Sequence, residues 1–399
     1  MLTLSYKSEK IPASPIRELA PLAQAAKKRG VKIYHLNIGE PDVPSPKEIR
    51  SGFKNFSLKS IPYANSHGEE KLLESLVYYY QSRFGLKDLT VNNFQTTSGS
   101  SEGILWAMMT TLNSNDNILV FEPFYANYKS YAVQIGATLS PVTCDIKNGF
   151  HLPSEEKIER KINAKTRAIL ICSPNNPTGT VLTDDELKMI LKIAKKRNLW
   201  LISDEAYTEL IFDGKKQKTI LSFSDSSNII VLGSFSKTYS LCGARLGYIL
   251  SQNKNVLSAC LRLSQARLGA PFFEQVVLGR AISNIKDSYF TKIRKEYQER
   301  RDLSVSLLNK IPGVFCPKPE GAFYLLVELP VADTEDFARF LLTDFRDKGE
   351  TVMIAPAQGF YETANLGKNK IRVAYVINKK NLRRAIELLE IAIKKYGKK

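Results

Sequence analysis

Ala168-Ile169-Leu170-Ile171-Cys172 is followed by Ser173-Pro174-Asn175-Asn176-Pro177-Thr178-Gly179, then by Asp184–Arg197 (DDELKMILKIAKKR), then by Leu199-Trp200-Leu201-Ile202. The two apolar runs are short and do not alternate, which is the pattern of strands buried on both faces of a mostly parallel sheet. The segment between them carries its acids first and its bases last, which suits the dipole of a surface helix. Strand, turn, helix and strand together make the unit of a doubly wound α/β core. Ile118–Phe121, Ile229–Leu232 and Tyr248–Leu250 repeat the same kind of run within the same part of the chain.

Outward from this core the pattern changes. Residues 1–15, with Pro12 and Pro15, read as an irregular arm, and residues 16–29 as a short helix stopped by Gly30. Leu36-Asn37-Ile38-Gly39-Glu40-Pro41-Asp42 reads as a strand running into a turn-rich loop. Beyond residue 255 the segments lengthen into helices, including a charged one at Asp287–Lys310, with Phe323–Val327 and Ile371–Ile377 as strands. The expected organisation is an N-terminal arm with part of a small domain (1–45), a large α/β domain (46–285) and a smaller α+β C-terminal domain (286–399). No linker separates them, so tight packing is expected.

Composition narrows the functional classes. The 399 residues are 43% hydrophobic and 24% charged, too apolar for a disordered chain. Glycine (22), proline (18) and cysteine (5) are too few for a collagen or a disulfide scaffold. The net charge of +17 raises the question of an anionic partner. Eight of its cations lie in Lys379–Lys399, including Lys398 and Lys399 at the end, against Glu387 and Glu390. Leu382, Ile386, Leu389 and Ile393 follow helical spacing there, so the segment reads as an amphipathic helix with a solvated basic face and no nucleic-acid partner. Cys144, Cys172, Cys242, Cys260 and Cys316 have no C-x-x-C spacing, which argues against a zinc or other metal site and against a disulfide framework. No stretch approaches the ~20 apolar residues of a membrane span, and no secretory leader is visible. A reduced, cytoplasmic setting without a membrane is the expectation.

Polar motifs cluster at the ends of the expected strands, where open α/β sheets bind ligands. Ser98-Gly99-Ser100-Ser101-Glu102 opens the apolar helix Gly103–Leu112. It reads either as an anion cradle or as a Ser N-cap with Glu102 as capping partner. Pro123-Phe124-Tyr125-Ala126-Asn127-Tyr128 offers aromatic faces for a flat ligand or for the core. The prolines and glycine of Ser173–Gly179 fix Asn176 at a sheet edge. Asp204-Glu205-Ala206-Tyr207 follows Leu199–Ile202, and Ser234-Phe235-Ser236-Lys237 follows Ile229–Leu232, with Gly243-Ala244-Arg245 shortly after. A lysine amid small hydroxylic residues at a strand end reads as a desolvated amine nucleophile or as an exposed cation. One site holding an anion cradle, an aromatic plate, Asn, Asp, Tyr, Lys and Arg is the set that pyridoxal phosphate requires.

With N-P-T-G, D-x-A-Y and S-x-S-K-x(7)-R in this order, the sequence resembles the fold-type I pyridoxal-phosphate enzymes, specifically the class I aminotransferases of the aspartate aminotransferase family. The resemblance runs from Gly39 to Arg372. It implies that Lys237 carries pyridoxal 5'-phosphate as an aldimine and later moves the proton. It implies that Asp204 pairs with the pyridinium nitrogen, Tyr207 and Asn176 contact the ring hydroxyl, and Tyr125 stacks on the ring. The resemblance further implies that Gly99, Ser100, Ser101, Ser234, Ser236 and Arg245 form the phosphate cup. It implies that Arg372 grips the substrate α-carboxylate and that Gly39 contributes through its backbone. Tyr63, in Pro62-Tyr63-Ala64-Asn65, matches a tyrosine that reaches the neighbouring subunit's phosphate, which implies a homodimer with a shared active site. The implied reaction is ping-pong amino transfer between an L-amino acid and a 2-oxo acid.

Two stretches depart from the family pattern. Gln265–Phe273 lacks the usual small polar residues, and the loop Ala357–Lys370 is longer than usual. Arg267 and Arg17 are open to two readings, recognition of an acidic substrate side chain or a plain ion pair. The same cofactor motifs also serve C–S β-lyases and enzymes of the aminocyclopropane-carboxylate synthase type. A DNA-binding regulator with an aminotransferase-like domain needs several dozen residues ahead of the pattern, and here it begins by about residue 30.

Overall fold

The expected strands form around a seven-stranded sheet. The computed structural model describes residues 2–14, 17–224 and 226–397. Pro15, Lys398 and Lys399 lie outside the described residues. In chain order the strands are β1 (Lys32–His35), β2 (Phe94–Thr97), β3 (Asn117–Glu122), β4 (Thr138–Thr143), β5 (Thr166–Cys172), β6 (Trp200–Asp204), β7 (Ile229–Ser234), β8 (Gly247–Ser251), β9 (Tyr324–Glu328), β10 (Glu350–Met353), β11 (Ala355–Pro356) and β12 (Lys370–Ala374).

The large sheet has the order β2-β8-β7-β6-β5-β3-β4. The pairs β7–β6, β6–β5, β5–β3 and β3–β4 are parallel, and β8 runs antiparallel to both its neighbours. This is the mostly parallel α/β architecture that the non-alternating runs imply. β3 is buried along its whole length, and β5 along all of it but Arg167. Two strands escape the apolar pattern. β2 (Phe-Gln-Thr-Thr) is fully buried despite its polar composition, because Gln95 Nε2 donates to the carbonyls of Ser66 (2.6 Å) and His67 (3.2 Å). β4 is an edge strand, half-exposed and able to tolerate Pro141.

Near the termini, β1 pairs in parallel with β10, so the N-terminal segment joins the C-terminal third. The strand expected to begin at Leu36 is the preceding one, β1, and Leu36–Asp42 itself is irregular. The arm expected to be irregular contains a short helix, Tyr6–Lys10, capped by the Ser5 side chain. β9 pairs antiparallel with β12, and β12 with β11. The helix Asp287–Leu308 packs against the C-terminal helix Lys379–Tyr396. In the latter, Leu382, Ile386, Leu389 and Ile393 are buried, as the spacing requires. No helix among the described residues is long and apolar enough to cross a membrane. All five cysteines are free.

Candidate active site

Six connections meet at one end of the large sheet. β2, β3, β5, β6 and β7 end at Thr97, Glu122, Cys172, Asp204 and Ser234, and antiparallel β8 begins just after Arg245. The segments beyond these ends surround a cavity of about 660 Å³. It is lined by Gly39, Ser100, Ser101, Tyr125, Asn176, Asp204, Tyr207, Ser234, Ser236, Lys237, Arg245 and Arg372, all of which the sequence singles out. Two expected residues are not in its lining. Gly99 sits behind Arg245, where an added Cβ would come within 2.6 Å of the guanidinium. Tyr63 is 80% exposed elsewhere on the chain.

The anion end is built by backbone. Gly99, at φ +81°, is the N-cap of the helix Ser100–Thr111, a conformation that favours glycine. The Ser reading of the cap is therefore replaced by glycine, and Glu102 instead accepts the Ser98 N–H at 2.7 Å. Among the described residues the Ser100 and Ser101 N–H groups have no hydrogen-bond partner, as expected of a helix N-terminus that can bind an anion. Ser234 caps the short turn Phe235–Thr238 by accepting from Ser236 N at 3.2 Å, which places Lys237 in the first turn after β7. Arg245 also takes a positive φ, and its Nη1 donates to the Cys242 carbonyl at 3.0 Å.

Asp204 is almost wholly buried. Its carboxylate accepts from Tyr128 Oη (2.7 Å) and from the Ala206 N–H (3.2 Å). Burial pushes its pKa up; Tyr128, the Ala206 N–H and the Lys237 charge pull it back down. No cation among the described residues lies within ion-pair distance of it. Lys237 Nζ donates to the Gly39 carbonyl at 2.9 Å and lies 3.7 Å from Cys242 Sγ. Tyr207, its pKa raised well above the usual range by burial, shares a 3.0 Å hydrogen bond with Tyr324 and accepts from Asn176 Nδ2 at 3.5 Å.

Arg372 is buried in β12 and donates to Asn176 Oδ1 (3.2 Å) and to the Asn37 carbonyl (2.6 Å). Among the described residues its Nε has no partner. The rings of Tyr324 and Phe360 lie 4.6 and 5.1 Å from its guanidinium carbon. Tyr125 meets Tyr128 edge-on at 5.5 Å and accepts from Asn127 Nδ2 at 2.8 Å.

Sequence reading missed Tyr128, Tyr324 and Cys242. Tyr128 lay within the quoted aromatic run, three residues after Tyr125, and carried a signal; Tyr324 carried none beyond a strand. Of the two open arginines, Arg17 lines the cavity. Arg267 is absent from its lining and is the ion-pair alternative: 3.2 Å from Glu102, bonded to Ser98 Oγ at 2.9 Å and set 5.0 Å over Trp106.

Residues 31–389 match the family model described as aminotransferase class I and II. The chain belongs to this aminotransferase family. Its relatives include an aspartate aminotransferase of Pyrococcus horikoshii, 30% identical over 96% of this chain and 95% of the relative. They also include a (5-formylfuran-3-yl)methyl phosphate transaminase of Methanocaldococcus jannaschii, 30% identical over 94% and 95% of the two chains. Among solved structures, the aspartate aminotransferase of Thermotoga maritima superposes with a TM-score of 0.88 at 28% identity, over 98% of this aminotransferase and all of that chain. The protein is thus an enzyme that transfers amino groups between amino acids and oxo acids, in a family that uses pyridoxal phosphate.

Proposed function

We propose that this aminotransferase holds pyridoxal 5'-phosphate in the 660 Å³ cavity, attached through Lys237, and exchanges amino groups between an L-amino acid and a 2-oxo acid by ping-pong chemistry. The observation that carries the reading is Asp204, a buried carboxylate with two hydrogen-bond donors and no ion-pair partner among the described residues. A protonated ring nitrogen supplies the missing cation. Two further features fit the group and its substrate. Gly99 leaves room for Arg245 and for a phosphate at the helix N-terminus. The orphaned Nε of Arg372 fits a substrate carboxylate.

When bound, the cofactor supplies an aldehyde that captures the amino group and a ring that takes up the electrons of the broken Cα–H bond. The chain does the rest. Arg372 orients the α-carboxylate. Lys237 Nζ, set free when the incoming amine takes its place on the cofactor's carbonyl carbon, would be held near the Gly39 carbonyl, where it can take the Cα proton and return it. Asp204 keeps the ring nitrogen charged, Tyr207 and Asn176 serve the ring oxygen, and Tyr125 covers one ring face. Ser100, Ser101, Ser234, Ser236 and Arg245 hold the phosphate.

We propose the division 1–45, 46–285 and 286–399 for the domains, which the β1–β10 pairing supports. Leu58, Ile61 and Tyr63 are strongly exposed and close in sequence, which supports a homodimer in which Tyr63 reaches the partner's phosphate. The free cysteines suit a reducing cytoplasm. The test of the function is Lys237→Ala. The wild-type protein should show the absorbance of a lysine-bound cofactor and lose it on adding an amino donor. The variant should bind the cofactor only reversibly and not turn over. Unchanged absorbance in wild type with every common amino acid would sink the reading.

A further inference from the structure

Tyr324, the first residue of β9, touches three functional groups at once. Its hydroxyl is hydrogen-bonded to Tyr207 Oη at 3.0 Å. Its ring lies under Arg372, 4.6 Å from the guanidinium carbon. Its hydroxyl also fills the space beside Gly39, so that a Cβ at residue 39 would overlap it. That same Gly39 presents its carbonyl to Lys237 Nζ at 2.9 Å. Tyr324 is about 2% exposed, yet it lines the cavity.

We propose that Tyr324 is a positioning residue that couples the carboxylate grip of Arg372 to the ring-oxygen contact of Tyr207. This rests on the cofactor reading above. The hydroxyl and the ring do separable work. Tyr207 Oη accepts from Asn176 Nδ2, and its own proton points either to Tyr324 or into the cavity. When an anionic ring oxygen takes that proton's hydrogen bond, Tyr207 has a lone pair left, and Tyr324 becomes its donor. A donor behind a donor polarises the chain and strengthens the outer bond. The Tyr324 hydroxyl therefore favours the ionised ring oxygen. The ring face presents its negative quadrupole to the Arg372 guanidinium and fixes its plane against the carboxylate it must meet.

The experiment uses wild-type, Tyr324→Phe and Tyr324→Leu holoenzymes. The first readout is the pH midpoint of the lysine-bound cofactor's absorbance change, and the second is KM for 2-oxoglutarate. Tyr324→Phe keeps the ring and should raise the midpoint by about half a unit while leaving KM within about twofold. Tyr324→Leu should raise the midpoint similarly and increase KM roughly 3- to 30-fold. An unmoved midpoint in Tyr324→Phe overturns the Tyr207 coupling, and this arm decides alone if the leucine variant fails to fold. An unmoved KM in a folded Tyr324→Leu overturns the Arg372 coupling. A wild-type protein without the lysine-bound absorbance defeats the cofactor reading itself. A wild type that has it, beside variants that change nothing, defeats the role of Tyr324 alone.

Discussion

Tyr128 Oη donates to Asp204 Oδ2 across 2.7 Å, and both groups are buried. Tyr128 enters on the helix Asn127–Ile135 that follows β3, and Asp204 ends β6, two strands away in the sheet. Burial favours the neutral carboxyl and Tyr128 favours the charged one. The tyrosine thus helps decide over what pH range Asp204 is an anion.

Tyr128→Phe removes that donor while keeping the ring. The Asp204 pKa then rises further, the carboxylate protonates at higher pH, and the acid limb of the kcat profile moves up. A hydrogen bond to a charged group is worth about 1.5–3 kcal/mol, so cofactor affinity should weaken by roughly 10-fold or more. KM for the amino donor should hold, because Arg372 is untouched. A fluorescence titration with pyridoxal phosphate and a kcat–pH profile check this; an unmoved acid limb contradicts it.

Gly39→Ala tests the loop that holds Lys237. The new Cβ would overlap the Tyr324 hydroxyl, which is itself fixed by Tyr207. Either the loop or the tyrosine must move, and each contacts a residue proposed for the reaction: the Gly39 carbonyl holds Lys237, and the Tyr324 hydroxyl holds Tyr207. A displacement on the scale of an ångström costs on the order of 10²-fold in rate. The expected result is such a loss in kcat/KM with a smaller loss of thermal stability, since the clash falls on the buried Tyr324 but the irregular loop around Gly39 is partly exposed and can shift. Steady-state kinetics beside a melting curve separates the two effects.

Arg372→Lys should damage substrate binding more than turnover. The guanidinium spans Asn176 Oδ1 and the Asn37 carbonyl and still keeps Nε in reserve. An ammonium cannot span those acceptors and also present two parallel donors to a carboxylate. KM for donor and acceptor should both rise, with kcat/KM falling by on the order of 10²–10³. Equal loss in kcat with unchanged KM would mean that Arg372 acts on the chemical step instead.

These contacts separate what the sequence discloses from what it hides. Asp204, Lys237 and Asn176 are legible because each follows a short apolar run, and the end of a parallel strand is where ligands bind. Arg372 is legible because an arginine inside an apolar strand needs a purpose. Tyr324 is not, because an aromatic in a Phe-Tyr-Leu-Leu strand looks like core. Only folding brings it to Tyr207, 117 residues away. Arg267 keeps two readings in sequence because its partner, Glu102, lies on a different helix. β2 is hidden for a related reason: only Phe94 of its four residues is apolar, and the buried Gln95 is accommodated by hydrogen bonds to the Ser66 and His67 carbonyls.

Glu205 sits next to Asp204 but faces other partners. Its Oε1 accepts from Ile220 N (2.9 Å), Thr219 Oγ1 (3.1 Å) and Ser203 Oγ (3.1 Å), while among the described residues Oε2 has no partner. Burial pushes its pKa from the ordinary 4.5 to about 7. The folded protein therefore holds this proton more tightly than the unfolded chain. Stability from this group is fully present below pH 4.5, falls as pH rises to about 7, and is level above. A shift of that size corresponds to about 3 kcal/mol. Glu205→Gln cannot ionise and keeps an oxygen for the three donors. Its denaturation midpoint should vary less between pH 5 and pH 8 than the wild type's, and at pH 8 it should be the more stable of the two. Urea unfolding at both pH values measures this. A wild type equally stable at pH 5 and pH 8 would mean that Glu205 ionises in the folded protein as readily as in the unfolded chain.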